Sequence, residues 1–314
     1  MIQDLLNKKN CFKLICGAGK EDVQEVKRLV YVYALAGCRF FDLSPNIETV
    51  MAAKEALNLA NIEDAYLCVS FGLANDPHAL KAQINKFLCT KCGNCSSKCP
   101  ENAIINSEIV IKKCIGCKKC KNICPNNAIE YISSPKELKE ILPPLKELNI
   151  DCIELHAMGT DDEEVISKWE YLNNNFNGIL SVCTSRGNLS DSSLIERIKK
   201  MLTYRKPYTT IIQADGFPMS GGNDDYKTTL QSVATAQIVQ NADLPIYLLL
   251  SGGTNSKTAD LAKMCGINFH GISIGSFARK IIREYVSSPD FWDNKNSINT
   301  AIKIAKSLIE TTKK

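Results

Sequence analysis

Apolar runs of five to nine residues alternate with longer amphipathic stretches along most of the chain. The apolar runs are FKLIC (12–16), RFFDL (39–43), AYLCVSF (65–71), CIELH (152–156), GILSVC (178–183), TTIIQAD (209–215), PIYLLLSGG (245–253) and INFHGISIG (267–275). They are rich in β-branched and aromatic residues and mostly bounded by turn formers, so they read as strands. The stretches between them carry helical spacing over 21–37, 46–59, 162–174, 190–204, 226–240, 256–264 and 276–286, with a last helix over 297–312. A further helix is expected over 133–149, where Pro143 and Pro144 should kink or divide it. Eight strand–helix units predict an α/β protein, a (β/α)8 TIM-type barrel closed by its first and eighth strands. A doubly wound open sheet is the alternative, because periodicity alone does not show closure.

Residues 86–132 break that alternation. Residues 89–99 read CTKCGNCSSKC and residues 114–124 read CIGCKKCKNIC, each followed by proline. Pro100, Asn102, Ala103 and Ile104 recur as Pro125, Asn127, Ala128 and Ile129. The pattern is C-x2-C-x2-C-x3-C-P, twice, placed after the third predicted strand. The chain therefore divides into a first barrel part (1–85), an inserted module (86–132), and the remaining barrel with its C-terminal helix (133–314).

Composition narrows the chemistry. Hydrophobic residues make up 45% and charged residues 23% of the 314, which suits a folded soluble chain with a sizeable core. No apolar run reaches the roughly 18 residues of a membrane span. The start, MIQDLLNKKNCFKLIC, lacks the basic-then-apolar layout of a secretory signal, so a cytoplasmic location is expected. There the fifteen cysteines point to metal or redox chemistry rather than disulfides. Seven of them lie outside the repeat: Cys11, Cys16, Cys38, Cys68, Cys152, Cys183 and Cys265. Most of these fall in apolar strand-like runs, where a thiol packs as a small hydrophobe.

Three thiolates on a tight loop reach three corners of one iron–sulfur cubane, and the fourth leaves in another direction. Gly93 and Gly116 let the backbone approach the inorganic sulfurs. Tetrahedral zinc also takes four cysteines, but zinc ribbons favour two CxxC pairs set far apart. The repeat resembles the two-cluster bacterial ferredoxin over residues 86–132. In that family the fourth cysteine of each run ligates the other run's cluster. The resemblance implies one 4Fe–4S cluster on Cys89, Cys92, Cys95 and Cys124, and a second on Cys114, Cys117, Cys120 and Cys99.

Between Lys86 and Glu130 stand eight lysines and three acids, in a chain of formal net charge +4. The lysines either offset the cluster charge or form a docking face for an acidic electron carrier. No aromatic stacking pattern accompanies them, so nucleic acid is not an expected partner. In the barrel, SGGTN (251–255) and GISIGSFAR (271–279) follow the seventh and eighth strands. Backbone N–H groups of Gly252, Gly253, Gly275 and Ser276 can face an anion there, such as the phosphate of a flavin; equally, the glycines only turn the chain. Lys13, Asp42, His156, Arg186, Gln213 and Asp215 are expected near the same mouth. His156 is either an acid–base group or, as favoured, a satisfied core histidine. The glycine-rich loop 215–225 is a candidate lid.

Read together, FKLICGAG (12–19), AGCRFFDLSP (36–45), DPHALKA (76–82), DCIELHAMG (151–159), QADGFPMSGG (213–222), SGGTNSKTADL (251–261) and GISIGSFARK (271–280) resemble the light-dependent period protein A family of cyanobacteria. The likeness covers nearly the full length. It implies an iron–sulfur protein that reports cellular redox state, and so light, to the circadian clock through clock-input proteins. No catalytic residue is carried over from it, and whether the barrel is an enzyme is left open, leaning against. The alternative is an oxidoreductase whose barrel binds flavin and draws electrons from the clusters.

Overall fold

The computed structural model describes residues 1–17, 21–73, 76, 80–133, 137–157, 161–187, 189–216 and 223–313. Strands β1 (Cys11–Ile15), β2 (Phe40–Leu43) and β3 (Tyr66–Gly72) come first. Four short strands follow: β4 (Leu80–Ile84), β5 (Ile104–Ile105), β6 (Glu108–Ile109) and β7 (Ile129–Ser133). Then come β8 (Cys152–His156), β9 (Ile179–Thr184), β10 (Thr210–Asp215), β11 (Tyr247–Ser251) and β12 (Gly271–Ile274). Strands β1, β2, β3 and β8 to β12 form a closed parallel barrel, with β12 returning to β1 in register Lys13↔Ser273. The fold is thus the expected (β/α)8 barrel, not the open sheet.

The outer layer follows the sequence pattern. Helices α2 (Val23–Leu35), α3 (Ile47–Leu59), α7 (Asp162–Asn175), α8 (Asp191–Leu202) and α9 (Tyr226–Asn241) lie in the predicted stretches. Each starts at an acceptor side chain: Asp22, Asn46, Asp161, Ser190 and Asp225 take backbone N–H groups of the first turn. Helices α10 (Thr258–Met264) and α13 (Lys295–Lys313) complete the ring near the chain's end.

Three elements differ from expectation. Helix α6 (Leu138–Glu147) contains Pro143 and Pro144 yet is not divided. Leu138, Leu142 and Leu145 form one buried face that spans the prolines, and this packing offsets the lost backbone bonds. The stretch 276–286 is not one helix but two, α11 (Ser276–Ile281) and α12 (Arg283–Val286), broken at Ile282. Periodicity also gave no sign of α1 (Ile2–Asn7), whose buried Ile2 and Leu6 pack against Cys11, Phe40, Cys68, Cys152, Ile179 and Ile211. The helix is a plug under the N-terminal end of the barrel.

Above that apolar floor the barrel interior turns polar. Lys13, Asp42, Ser70, Glu154, Ser181, Gln213 and Ser273 are all buried. One layer higher, at the C-terminal ends of the strands, stand His156, Cys183 and Asp215.

The module hangs on an antiparallel ribbon, β4 with β7 in register Ile84↔Ile129. Its two halves are near copies. Ile104 pairs with Ile109 as Ile129 pairs with Ile84, and helices α4 (Asn94–Lys98) and α5 (Lys119–Ile123) occupy equivalent places. Positive φ recurs at the repeat positions Lys91 and Gly116, Gly93 and Lys118, and Asn102 and Asn127. Positions 93 and 116 are where glycine was expected to serve, and each has a non-glycine counterpart in the same backbone region.

Candidate functional site

The module holds two cysteine-lined cavities. One is lined by Cys89, Cys92, Cys95 and Cys124, with Ile84, Leu88, Ala128 and Ile129 among its apolar walls. The other is lined by Cys99, Cys114, Cys117 and Cys120, with Ala82, Ala103, Ile104 and Ile109. Each cavity takes three cysteines from one run and the fourth from the other. Backbone amides already point at the sulfurs: Ala103 N donates to Cys99 Sγ at 3.2 Å and Ala128 N to Cys124 Sγ at 3.3 Å. Ala82 N donates to Cys114 Sγ at 3.4 Å, and Tyr131 Oη lies 3.0 Å from Cys120 Sγ. Such N–H groups stabilise thiolates and tune cluster potentials.

Spacing discriminates between metals. Around one zinc ion, with Zn–S near 2.3 Å, thiolate sulfurs sit about 3.8 Å apart. Among the described residues, the triads of metal-ligating atoms that lie within 4.8 Å of one another are in the barrel, not the module. The module's described cysteine sulfurs are thus spread more widely than the ligands of one zinc ion, as a larger cluster requires.

The two cavities differ in setting despite their shared sequence. Cys114 and Cys120 are buried, and Cys117 is half-buried. In the other run Cys92 is exposed, while Cys89 and Cys95 are half-buried. Cys114 and Cys120 are buried in the module's own small core with Ala82, Ala103, Ile104 and Ile129, and the barrel touches the module on the same side. Arg283 of α12 donates to Pro100 O and to Glu101 Oε1, beside Cys99. Glu21 N donates to Lys112 O at 3.0 Å, and Lys112 pairs with Glu48 at 3.1 Å. Lys81 Nζ donates to Cys114 O at 2.7 Å. Around the outer cavity the surface stays bare: Phe87 is 100% exposed, and Lys86, Lys91 and Lys98 are exposed beside it in sequence.

In the barrel, Lys13 Nζ lies 2.8 Å from Asp42 and 2.5 Å from Glu154. Burial alone would lower its pKa, but the two carboxylates outweigh it and hold the ammonium well above its usual range. Gln213 and Ser181 also donate to Glu154, and Ser273 donates to Gln213. Burial works against the Glu154 charge, yet Lys13 and His156 hold its pKa down to about 2. His156 lies between Asp76 (Nδ1, 3.3 Å) and Glu154 (Nε2, 3.0 Å). These partners overcome desolvation and keep the imidazole charged. His156 is therefore the satisfied buried histidine that was favoured. Asp215, pushed up to about 6 by burial, accepts from the Cys183 thiol at 3.2 Å.

Other expected mouth residues fare differently. Lys13, Asp42 and Gln213 lie one layer below the mouth, and Arg186 is exposed and pairs with Asp191 at the start of α8. Gly252 and Gly253 follow β11 with φ of +66° and +75°. A Cβ on Gly252 would stand 1.6 Å from Asp215 Oδ1, so close packing accounts for that glycine. Gly275 and Ser276 open the six-residue α11, beside the Arg279 guanidinium. The candidate lid lies outside the described residues at 217–222. Sequence reasoning did not find Glu154, Asp76 or the Arg283 link; a glutamate alternating with His156 in CIELH was the available signal for the first.

A barrel with a cysteine-lined module of this kind is an iron–sulfur protein, and comparison with known proteins agrees. A model of the 4Fe-4S binding domain matches residues 82–105 and 108–130. The chain belongs to the light dependent period A family, whose C-terminal domain model matches residues 144–311. It is 29% identical over 286 residues to light dependent period A of Synechococcus elongatus (strain PCC 7942), covering 87% of this chain and 81% of that one. Among solved structures it resembles the YdjI aldolase from Escherichia coli K12, with a TM-score of 0.52, 10% identity, and coverage of 99% of this chain and 96% of that one. It also resembles tryptophan synthase from M. tuberculosis, with a TM-score of 0.51, 10% identity, and coverage of 98% and 97%. At such identities these likenesses show the barrel fold and nothing of its chemistry. No helix among the described residues is long and apolar enough to cross a membrane.

Proposed function

We propose that this protein senses cellular redox state through two 4Fe–4S clusters and passes that state to protein partners in a light-input or clock pathway. The outer cluster is held by Cys89, Cys92, Cys95 and Cys124, and the inner one by Cys114, Cys117, Cys120 and Cys99. The carrying observation is the asymmetry of the two cavities: one opens to solvent, and the other side of the module is bonded to the barrel through Arg283 and Glu21. Electrons enter at the outer cluster, where Phe87 and its neighbouring lysines suit an acidic electron carrier. A change of charge on a cluster held by Cys114, Cys117, Cys120 and Cys99 would be felt at the neighbouring Pro100 and Glu101, which Arg283 ties to the barrel. The clock setting rests on the family and on the relative's name.

The test is hydrogen exchange on the cluster-loaded chain, oxidised and reduced. The sensor reading predicts altered protection in α12 and at residues 99–102. Identical exchange in both states rules out this route. A second reading, an oxidoreductase with flavin or another phosphate ligand at the mouth, draws on Arg279. Its Nε is buried beside Gly275 without a hydrogen-bond partner among the described residues. A stoichiometric flavin in the purified chain would favour that reading.

A further inference from the structure

The polar network at the barrel mouth contains a second metal-ligand set, of a different kind from the module's. Glu154 and His156 alternate on β8, so their side chains share the interior face. Cys183 stands beside His156 across the β8–β9 ladder. One ligand atom from each of the three lies within 4.8 Å of the others, and all three residues are buried. We propose that Glu154, His156 and Cys183 bind a single divalent transition-metal ion of the zinc class.

The donor chemistry fits such an ion. One carboxylate oxygen, one imidazole nitrogen and one thiolate are ligands that zinc takes at about 2.0–2.3 Å, which sets neighbouring donors roughly 3.3–3.8 Å apart. His156 Nε2 and Glu154 Oε1 are now 3.0 Å apart, joined by a proton. The ion takes the place of that proton, and the gap widens by a few tenths of an ångström. On binding, His156 gives up one proton and the Cys183 thiol another. The bound set of ion, carboxylate, thiolate and neutral imidazole then carries no net charge, which suits a buried position. Two supports are in place: Asp76 sits on His156 Nδ1 and Lys13 on Glu154 Oε2, while the Asp215 carboxylate, which now accepts from the Cys183 thiol, is the group placed to take that proton. A carboxylate on the far nitrogen of a ligating histidine is the usual way its ring is oriented.

The neighbouring triad, Asp42, Cys68 and Glu154, does not qualify. The Lys13 ammonium already stands between its two carboxylates at 2.8 and 2.5 Å. In the proposed triad Glu154 and His156 are instead joined by a hydrogen-bonding proton, which an ion can displace. With three ligands from the protein, a fourth position stays available for water or a small oxygen ligand, as in catalytic rather than structural zinc sites. The inference is independent of the redox reading, because no module residue takes part.

The test adds Zn²⁺ to protein purified without air, with its clusters intact, and measures bound zinc and iron on the same sample after dialysis. The expected result is about one zinc per chain, with iron unchanged, and a sulfur-poor zinc absorption-edge spectrum of one sulfur among nitrogen and oxygen ligands. Cys183→Ser and His156→Gln are expected to weaken zinc binding by more than about tenfold while keeping their iron and their circular dichroism. Cys265→Ser, at an exposed cysteine, is expected to bind like the parent. Zinc surrounded by four sulfurs, full binding by both variants, or no binding by the folded parent would each overturn the proposal. Because iron is read separately, loss of the barrel metal and loss of the clusters are distinguishable.

Discussion

Single residues carry the sharpest consequences. Cys124 follows the second run in sequence but lines the first run's cavity. Cys124→Ala is therefore expected to remove the cluster on Cys89, Cys92 and Cys95 and to leave the inner cluster spectrally intact by electron paramagnetic resonance. Loss of the inner cluster alone would reverse the assignment. Gly252 is a stability position, since both its φ of +66° and the Asp215 carboxylate beside it exclude a side chain. Gly252→Ala is expected to cost about 2–4 kcal/mol in denaturant unfolding. His270 is half-buried, and its Nδ1 accepts the Leu248 N–H at 3.0 Å, which requires the neutral ring. Burial, helped by Lys9, lowers its pKa below the ordinary value. The folded state thus binds that proton less readily than the unfolded chain. The resulting stability is full above about pH 6.5 and is lost as pH falls towards the lowered folded value. His270→Gln, which keeps an acceptor, is expected to flatten that part of the Tm–pH profile.

At the scale of elements, the link between module and barrel is the point of interest. Arg283 ties α12 to the loop after Cys99, and Glu21 and Lys81 add bonds to the same side. Arg283→Ala is expected to raise amide exchange at residues 101–102 and in α12 with iron content unchanged; unchanged exchange would show the link to be idle. This link was not legible in the sequence, because it joins residues about 180 positions apart through a carbonyl and a partly buried glutamate. The eight barrel strands, by contrast, were legible, whereas the short β4 to β7 of the module were not. Each barrel strand needs an apolar stretch to bury on both faces, and that requirement writes itself into FKLIC, CIELH and their like. Helix α6 misled for the converse reason: prolines speak of local backbone, while its leucine face answers to packing. Helix α1 was too short for a period to show.

At the scale of the whole molecule, a symmetric module sits asymmetrically on a barrel. Its sequence repeat singled out the eight cysteines, and each cavity is lined by three cysteines of one run and the fourth of the other. It did not predict which half would face the barrel, since the two runs are alike and only the stem and docking contacts tell them apart. The glutamate below His156 escaped notice because CIELH reads first as an apolar strand, and its one signal is the alternation of Glu154 with His156. In the proposed function, the exposed Phe87 and the lysines near it are the surface at which an acidic partner docks. Charge reversal at Lys86 and Lys91 is expected to slow reduction by an acidic carrier by about tenfold at low salt, with the difference shrinking as ionic strength rises.

The most direct measurement is iron and acid-labile sulfide per chain in protein purified without air, with an electron paramagnetic resonance spectrum of the reduced sample. Two clusters predict about eight irons, about eight sulfides and the signature of two interacting centres. Four irons or fewer in fully folded protein, or zinc without sulfide in the module, would contradict the account.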